Sequence, residues 1–278
     1  MSKRNSSISL DSFSLELAKR LAESPKYRKL NLPMETLSDL IERAATVSDS
    51  PKEIEELVRR KLHNLVAPYL GDPDYSALEK SLSSLPKNPD APILQEFCRQ
   101  VLQSHSSTRE RLPLLEEFYA LLFARTGTPA ILLDLACGLN PLSLPWMQLP
   151  KGSHYLAYDI HQPRIDFINA FFHHLGQKGE AIHQDILVSP PEQHADVALF
   201  FKEAHRFEQR EHGSVRLFLQ RLNASHILLS LPTVTLTGRR SMLEQDRKLV
   251  RAACFDQPWS VEEILLASEI VFWIRKQP

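Results

Sequence analysis

"LLDLACGLNP", residues 132–141, joins a short apolar run to an acid and then to a glycine, an asparagine and a proline. A continuous apolar run of this length, bounded by turn residues, marks a strand buried on both faces. Asp134 closes the run, and Gly138 leaves the backbone bare for the close approach of a ligand. Working outward, "HYLAYDI", "EAIHQDI", "DVALFF" and "HILLSLP" repeat the pattern, with helical spacing between them at about 163–175 and 204–222. Strands alternating with helices predict βαβ units, a parallel sheet and an α/β fold. The last run, "SVEEILLASEIVFWIRK", reads either as two strands with little between them or as a helix followed by one strand. Either reading leaves room for a closing antiparallel strand on the parallel sheet.

Upstream of residue 128 the periodicity is helical. "SFSLELAKRLAES" carries Leu15, Leu17, Leu21 and Ala22, and Pro33 can open "PMETLSDLIERAA" at its first turn. Ser50-Pro51-Lys52-Glu53 reads as a capping box, ahead of Ile54, Leu57, Val58, Leu62, Leu65 and Val66 at helical spacing. Arg59, Arg60, Lys61 and His63 cluster between members of that stripe. Shorter helices are expected around 74–85 and 91–104. "STRERLPLLEEFYALLFART" then reads as an amphipathic helix ending at Gly127, with Pro113 tolerated only near its first turns or at a kink. The expected division is a helical N-terminal domain, residues 1–104, and an α/β domain, residues 105–278.

Bulk numbers narrow the class. The 278 residues are 43% apolar and 24% charged, an ordinary globular composition. The formal net charge is −1, which argues against a uniformly basic nucleic-acid binder but leaves room for clustered charge. Three cysteines, Cys98, Cys137 and Cys254, lie far apart with no C-x-x-C pair, which suits a reducing compartment and excludes a cysteine-based zinc site. The eleven histidines show no metal spacing, so no metal is expected. "MSKRNSSISL" has no long apolar core and no stretch approaches a membrane span. A soluble cytoplasmic protein without a membrane partner is the expectation.

Three acids carry the site. In an open α/β sheet, ligands bind beyond the carboxyl ends of the strands, near the switch in strand order. Asp134, Asp159 and Asp185 end three successive expected strands. The second can take both hydroxyls of a ribose, and the third can accept from an adenine amino group. Neither G-x-G-x-x-G nor a P-loop is present, since Leu139 and Leu142 stand where further glycines would be needed. An adenosine site without phosphate points to S-adenosylmethionine, whose positive sulfonium also suits acidic surroundings. Cys137 reads as a small packing residue.

At this point the sequence resembles a known family, the 16S rRNA (guanine-N7) methyltransferases of the aminoglycoside-resistance group. "LDLACGLNPL", "YDIHQ", "QDIL", the lone "FK" at 201–202, "GS" at 213–214 and "PTVTLTGRRSM" follow in family order, and the likeness spans roughly residues 24–276. "KYRKL" and "SPKEIEELVRRKLH" look like the family's N-terminal domain, and "HSSTRERL" like its entry to the cofactor domain. The resemblance implies a class I (Rossmann-like) methyltransferase fold with a helical N-terminal domain. The implied target is N7 of a decoding-site guanine, conventionally guanine 1405, in helix 44 of 16S rRNA, methylated within the assembled 30S subunit. Aminoglycoside resistance would follow. It further implies that Arg111 binds the methionine carboxylate, that Gly138 lies against the cofactor with Ala136 beside it, that Asp159 with Ile160 meets the ribose, and that Asp185 with Ile186 meets the adenine. Lys202 and the Arg239-Arg240 tip would meet RNA near the target, and Lys26, Arg28, Lys29, Arg59, Arg60 and Lys61 would meet it elsewhere. A monomer is expected.

The implied chemistry agrees with what is missing. Guanine N7 is a lone pair exposed in the major groove and is nucleophilic without deprotonation, so no catalytic general base is expected. "FFKEAH" stands where adenine-N6 enzymes carry an [D/N]-P-P-[Y/F] motif, and no Pro-Cys pair is present for attack on a pyrimidine. The target base would be flipped out to reach the cofactor. Trp146 and Phe207 could stack on it, although core packing is the better expectation for both. In one place the chain departs from the family: "EAHRFEQREHGS" replaces an apolar run after Lys202, close to the expected target pocket. Two alternatives therefore stay open: a related enzyme acting on another RNA nucleotide or a small molecule, and a homologue that binds ribosomes without transferring a methyl group.

Overall fold

The computed structural model describes residues 4–67, 71–233, 241–266 and 269–276. Seven strands form one sheet in the order β3-β2-β1-β4-β5-β7-β6. They are β1 (Ile131–Leu135), β2 (His154–Asp159), β3 (Gly179–His183), β4 (Ala195–Phe201), β5 (Ala224–Pro232), β6 (Trp259–Leu266) and β7 (Glu269–Lys276). The first five are parallel, and β7 runs antiparallel to both β5 and β6. The ambiguous C-terminal run is thus a pair of strands, and it supplies the closing antiparallel strand. Strand order reverses between β1 and β4, the place where open α/β sheets hold ligands. At the far side, β3 can approach β2 closely only because Gly179 has no side chain: a Cβ there would lie 2.5 Å from the Tyr155 carbonyl oxygen.

Side chains alternate along each buried strand and build two cores, one per face. Leu132, Tyr155, Val197 and Leu228 face one way, and Leu133, Leu156, Ala198 and Leu229 the other. The first face is covered by α4 (Tyr75–Ser83), α5 (Pro92–Gln103), α7 (Leu115–Thr126), α8 (Leu144–Met147) and α9 (Gln162–Leu175). The second is covered by α10 (Ala204–Arg210), α11 (Ser214–Arg221) and α12 (Leu243–Cys254). A third core, from Leu17 to Val66, joins α1 (Arg4–Ala22), α2 (Met34–Ala45) and α3 (Pro51–Val66) and reaches the sheet domain at Ile160. The helices α4 and α5 therefore pack with the sheet, because Leu82, Leu94, Cys98, Val101 and Leu102 enter the core that holds Leu132 and Phe118.

Three local readings differ from the sequence expectation. Ser50 makes no side-chain cap on α3; Ser48 Oγ donates to Glu53 Oε2 at 2.6 Å and accepts from the Ser50 N–H instead. The expected helix through Pro113 is broken there into α6 (Ser106–Arg109), a 3-10 turn at Leu112–Leu114 and α7, because proline cannot donate within the ladder. The span 204–222 is likewise two helices, parted at Gly213 with φ +80°. Trp146 and Phe207 are core residues, as expected.

Candidate active site

Two adjoining cavities open beyond the C-terminal ends of β1, β2 and β4. The larger, about 160 Å³, reaches from Arg111 past Asp134 and Gly138 to Asp159. The smaller, about 40 Å³, continues from Asp159 and Ile160 to Asp185 and Ile186. Ala136, Asp159, Glu203 and Arg206 line both. Two residues that turn the chain out of neighbouring strands hold left-handed backbone without being glycine, Ala136 at φ +52° after β1 and Lys202 at φ +60° after β4. Such conformations cost about 1–3 kcal/mol each and persist where the surroundings over-determine them, commonly at ligand sites. Gly138, at φ +54°, presents its backbone to the same cavity.

The three expected acids are all buried, and each has a different setting. Asp134 Oδ2 accepts from Tyr155 Oη at 2.6 Å and Asn140 Nδ2 at 2.9 Å. Burial pushes its carboxyl up to about 7 in spite of those donors. Asp159 accepts from the His161 N–H on Oδ1 and from the Gly138 N–H on Oδ2, at 2.9 and 3.0 Å, and so pins the loop after β1 to the end of β2. Arg164 Nη1 also donates to its Oδ2. Asp185 lies two residues beyond β3, not on its tip. Its Oδ1 accepts from the Leu187 N–H, and its Oδ2 accepts from Thr36 Oγ1 at 2.8 Å and Arg210 Nη1 at 2.6 Å.

Arg111 is buried, not an exposed helix arginine. It donates through Nε and Nη2 to Glu269 at 2.8 and 2.5 Å, and to Asn140 Oδ1 and Ser230 Oγ, with Phe118 and Phe201 against its guanidinium. Burial works against ionisation of Glu269, but Arg111 holds its carboxyl below the ordinary value. Lys202 Nζ turns toward the same place, 2.6 Å from Glu110 and 3.5 Å from Glu269. An RNA contact by Lys202 would have to draw on a side chain that is only 10% exposed. His105 lines the larger cavity, and burial, then the nearby Arg164 charge, lowers its imidazole to about 4.

The architecture and the site now stand beside known proteins. A family model for ribosomal RNA methyltransferases (FmrO) matches residues 23–274. The chain belongs to the FmrO family. It is 32% identical over 249 residues to a 16S rRNA (guanine(1405)-N(7))-methyltransferase of Frankia casuarinae, covering 87% of each chain. A Proteus mirabilis protein with the same activity is 28% identical, covering 85% of this chain and 87% of that one. Among solved structures, the 16S rRNA methylase RmtB superposes with a TM-score of 0.76 at 25% identity, over 95% of this chain and 98% of that one. An rRNA methylase from Escherichia coli superposes with a TM-score of 0.75 at 26% identity, over 95% and 99%. The fold is the class I methyltransferase fold with a helical N-terminal region.

For an FmrO-family chain the residues fit a nucleoside-amino acid cofactor. The cavities join a buried cation at one end to buried acids at the other, over bare backbone at Gly138. The structure brings together Arg111, Asp134, Ala136, Gly138, Asp159, Ile160, Asp185 and Ile186 along the two cavities. Lys26, Arg28, Arg59 and Arg60 are exposed on the N-terminal helices and the turn after α1, and Lys61 is half-buried. Arg239 and Arg240 lie outside the described residues. Sequence reasoning missed Arg164, Glu203, Arg206 and Glu269. Arg164 follows the "DIHQ" motif by two residues, a local signal that could have been weighed; Glu269 had none. The segment after Lys202 is tied into its surroundings: His205 pairs with buried Asp246, Glu208 accepts from the Gly213 and Val215 N–H groups, Arg210 bridges Asp39 and Asp185, and Glu211 meets Arg43.

Proposed function

We propose that this chain methylates N7 of guanine 1405, in helix 44 of 16S rRNA, within the 30S subunit, using S-adenosylmethionine, and that the modification confers aminoglycoside resistance. The observation that carries the reading is a cavity pair at the strand-order switch, joining Arg111 to Asp185, in a chain that matches a ribosomal RNA methyltransferase family over residues 23–274. Relatives at 26–32% identity carry this activity in their names. When bound, S-adenosylmethionine supplies an electrophilic methyl group on a sulfonium.

The chain's own residues then have positioning roles. Arg111 would hold the methionine carboxylate, held rigid by Glu269 and Asn140. Asp159 would meet the ribose, and Asp185 the adenine amino group. Phe201 and Pro232 give the larger cavity apolar walls. Burial, which lowers the His105 imidazole to about 4, keeps it uncharged near pH 7. N7 needs no base, and catalysis rests on orienting a flipped guanine in line with the methyl group. The first three helices form the rRNA-facing unit, and we place its division from the catalytic unit near Gly71, not at residue 104, because α4 and α5 share the sheet's core. The protein acts as a cytoplasmic monomer in this reading.

The test is methylation of purified 30S subunits with labelled cofactor, followed by borohydride reduction, aniline cleavage and primer extension. A stop at guanine 1405 on 30S, with little on protein-free 16S rRNA, supports the reading. Arginines stand on both Asp159 and Asp185, and that observation favours a second reading, a cofactor-binding homologue without transfer. Cofactor binding with no label on 30S would select it.

A further inference from the structure

Glu203 belongs to neither the expected cofactor acids nor the RNA-facing cations, yet it lines both cavities where they meet. It follows Lys202, whose left-handed backbone turns the chain over the end of β4. The other acids at this place are engaged. Asp134 holds Tyr155 and Asn140, Asp159 holds two backbone N–H groups and Arg164, Asp185 holds Thr36 and Arg210, and Glu110 holds Lys202. By contrast, the side-chain contact that Glu203 makes among the described residues is a loose one, Arg206 Nη1 at 3.4 Å, and Arg206 is itself 43% exposed.

We propose that the Glu203 carboxylate is the countercharge for the sulfonium of bound S-adenosylmethionine. The proposal rests on the methyltransferase reading above and goes one step further, to how the cationic cofactor is told from its neutral product. In the cofactor the sulfur lies between the amino-acid end and the adenosine. A ligand with those ends at Arg111 and Asp185 must pass the residues common to both cavities, and Glu203 and Asp159 are the two acids among them. Asp159 already accepts three hydrogen bonds. A cation leaving water for such a cavity needs an opposite charge nearby. Burial raises the Glu203 carboxyl to about 7; Asp159 and Asp185 act in the same sense, while Arg206 and Arg164 act against it. A fixed cation beside it would restore the ionised form, so each charge favours the other.

The experiment compares S-adenosylmethionine with S-adenosylhomocysteine, which keeps the adenosine and amino-acid ends but has a neutral thioether. Calorimetry at pH 8 measures both ligands on the wild-type chain, on Glu203→Gln and on Glu203→Asp. We expect Glu203→Gln to lose about tenfold in affinity for S-adenosylmethionine, about 1.4 kcal/mol, and to bind S-adenosylhomocysteine within about twofold of wild type. Glu203→Asp, which keeps the charge, should retain the wild-type ratio of the two affinities to within about threefold. If Glu203→Gln does not give a cooperative melt, Glu203→Ala is the second neutral variant and carries the same expectation. Equal loss for both ligands would make Glu203 a structural residue and overturn the proposal. No change for either would remove it from the sulfonium. Failure of the wild-type chain to bind either ligand would instead defeat the methyltransferase reading, and the proposal with it.

Discussion

Arg164 is the residue on which the site's geometry turns. Its guanidinium is buried and joins Asp72, before α4, to Asp159, at the end of β2, with Tyr75 Oη accepting from Nε. Removing one partner from a buried ion pair leaves the other charges uncompensated, so Arg164→Met should cost about 3–5 kcal/mol of stability, read from urea denaturation. Asp134 makes a different prediction. Its folded value of about 7 lies above the ordinary carboxylate value of 3.8, so the folded state holds a proton that the unfolded chain has released across that window. Stability from this group is present at low pH and is lost as pH rises through about 7. Asp134→Asn keeps an oxygen able to accept from both Tyr155 and Asn140. Its melting temperature relative to wild type should therefore rise between about pH 4 and 7 and level off above; a flat difference across that window would show that Asp134 does not carry the effect. Glu203 contributes in the same direction, and the paired comparison removes it. These two residues also mark what the sequence could tell. Asp134 was visible because it ends an apolar run. The role of Arg164 was not, because its partner Asp72 lies 92 positions away and no local pattern announces a buried charge.

Elements built from short apolar runs were legible because both faces of their strands are covered, which leaves an unbroken hydrophobic signal. The C-terminal pair was ambiguous for the opposite reason. Much of β6 is half-buried or exposed, so its glutamates mimic a helix surface. The partnership of α4 and α5 was also hidden, since an amphipathic stripe says that a helix buries one face and not against what. At this scale α11 offers a clean test. Glu208 accepts from the Gly213 and Val215 N–H groups and so serves the start of that helix. Glu208→Ala should cost about 0.5–2 kcal/mol of stability by urea titration and leave cofactor affinity unchanged, as expected for a cap. A loss of cofactor affinity would return Glu208 to the target pocket. On α3, Arg59 and Arg60 are exposed and Lys61 is half-buried. Replacing all three with Glu should weaken 30S binding and flatten its dependence on salt, while cofactor affinity stays constant, because phosphate contacts release counterions. Unaltered 30S binding would make this face a solvated surface only.

Across the whole molecule, one tie between the sheet and the N-terminal helices runs through Arg210. Arg210 Nη2 donates to Asp39 Oδ2 on α2 at 2.6 Å while Nη1 donates to Asp185, and Thr36 on the same helix donates to Asp185 as well. The side chain sits at the end of α10, so the segment after Lys202 serves as an attachment. If Asp185 takes the adenine amino group, it has two claimants for one carboxylate: the nucleoside from one side and the helical unit from the other. Binding free energies are reciprocal. Whatever the nucleoside takes from α2, the docking of α2 must take from the nucleoside by the same factor. Hydrogen exchange should show it directly: amides of α2 should exchange faster with S-adenosylhomocysteine bound than without, and equal protection would mean that Asp185 serves both at once. On that condition the bridge would make the N-terminal helices a gauge of cofactor occupancy. Heterotropic communication of this kind asks for no hinge and no third site, only a carboxylate that cannot be in two pairs at full strength.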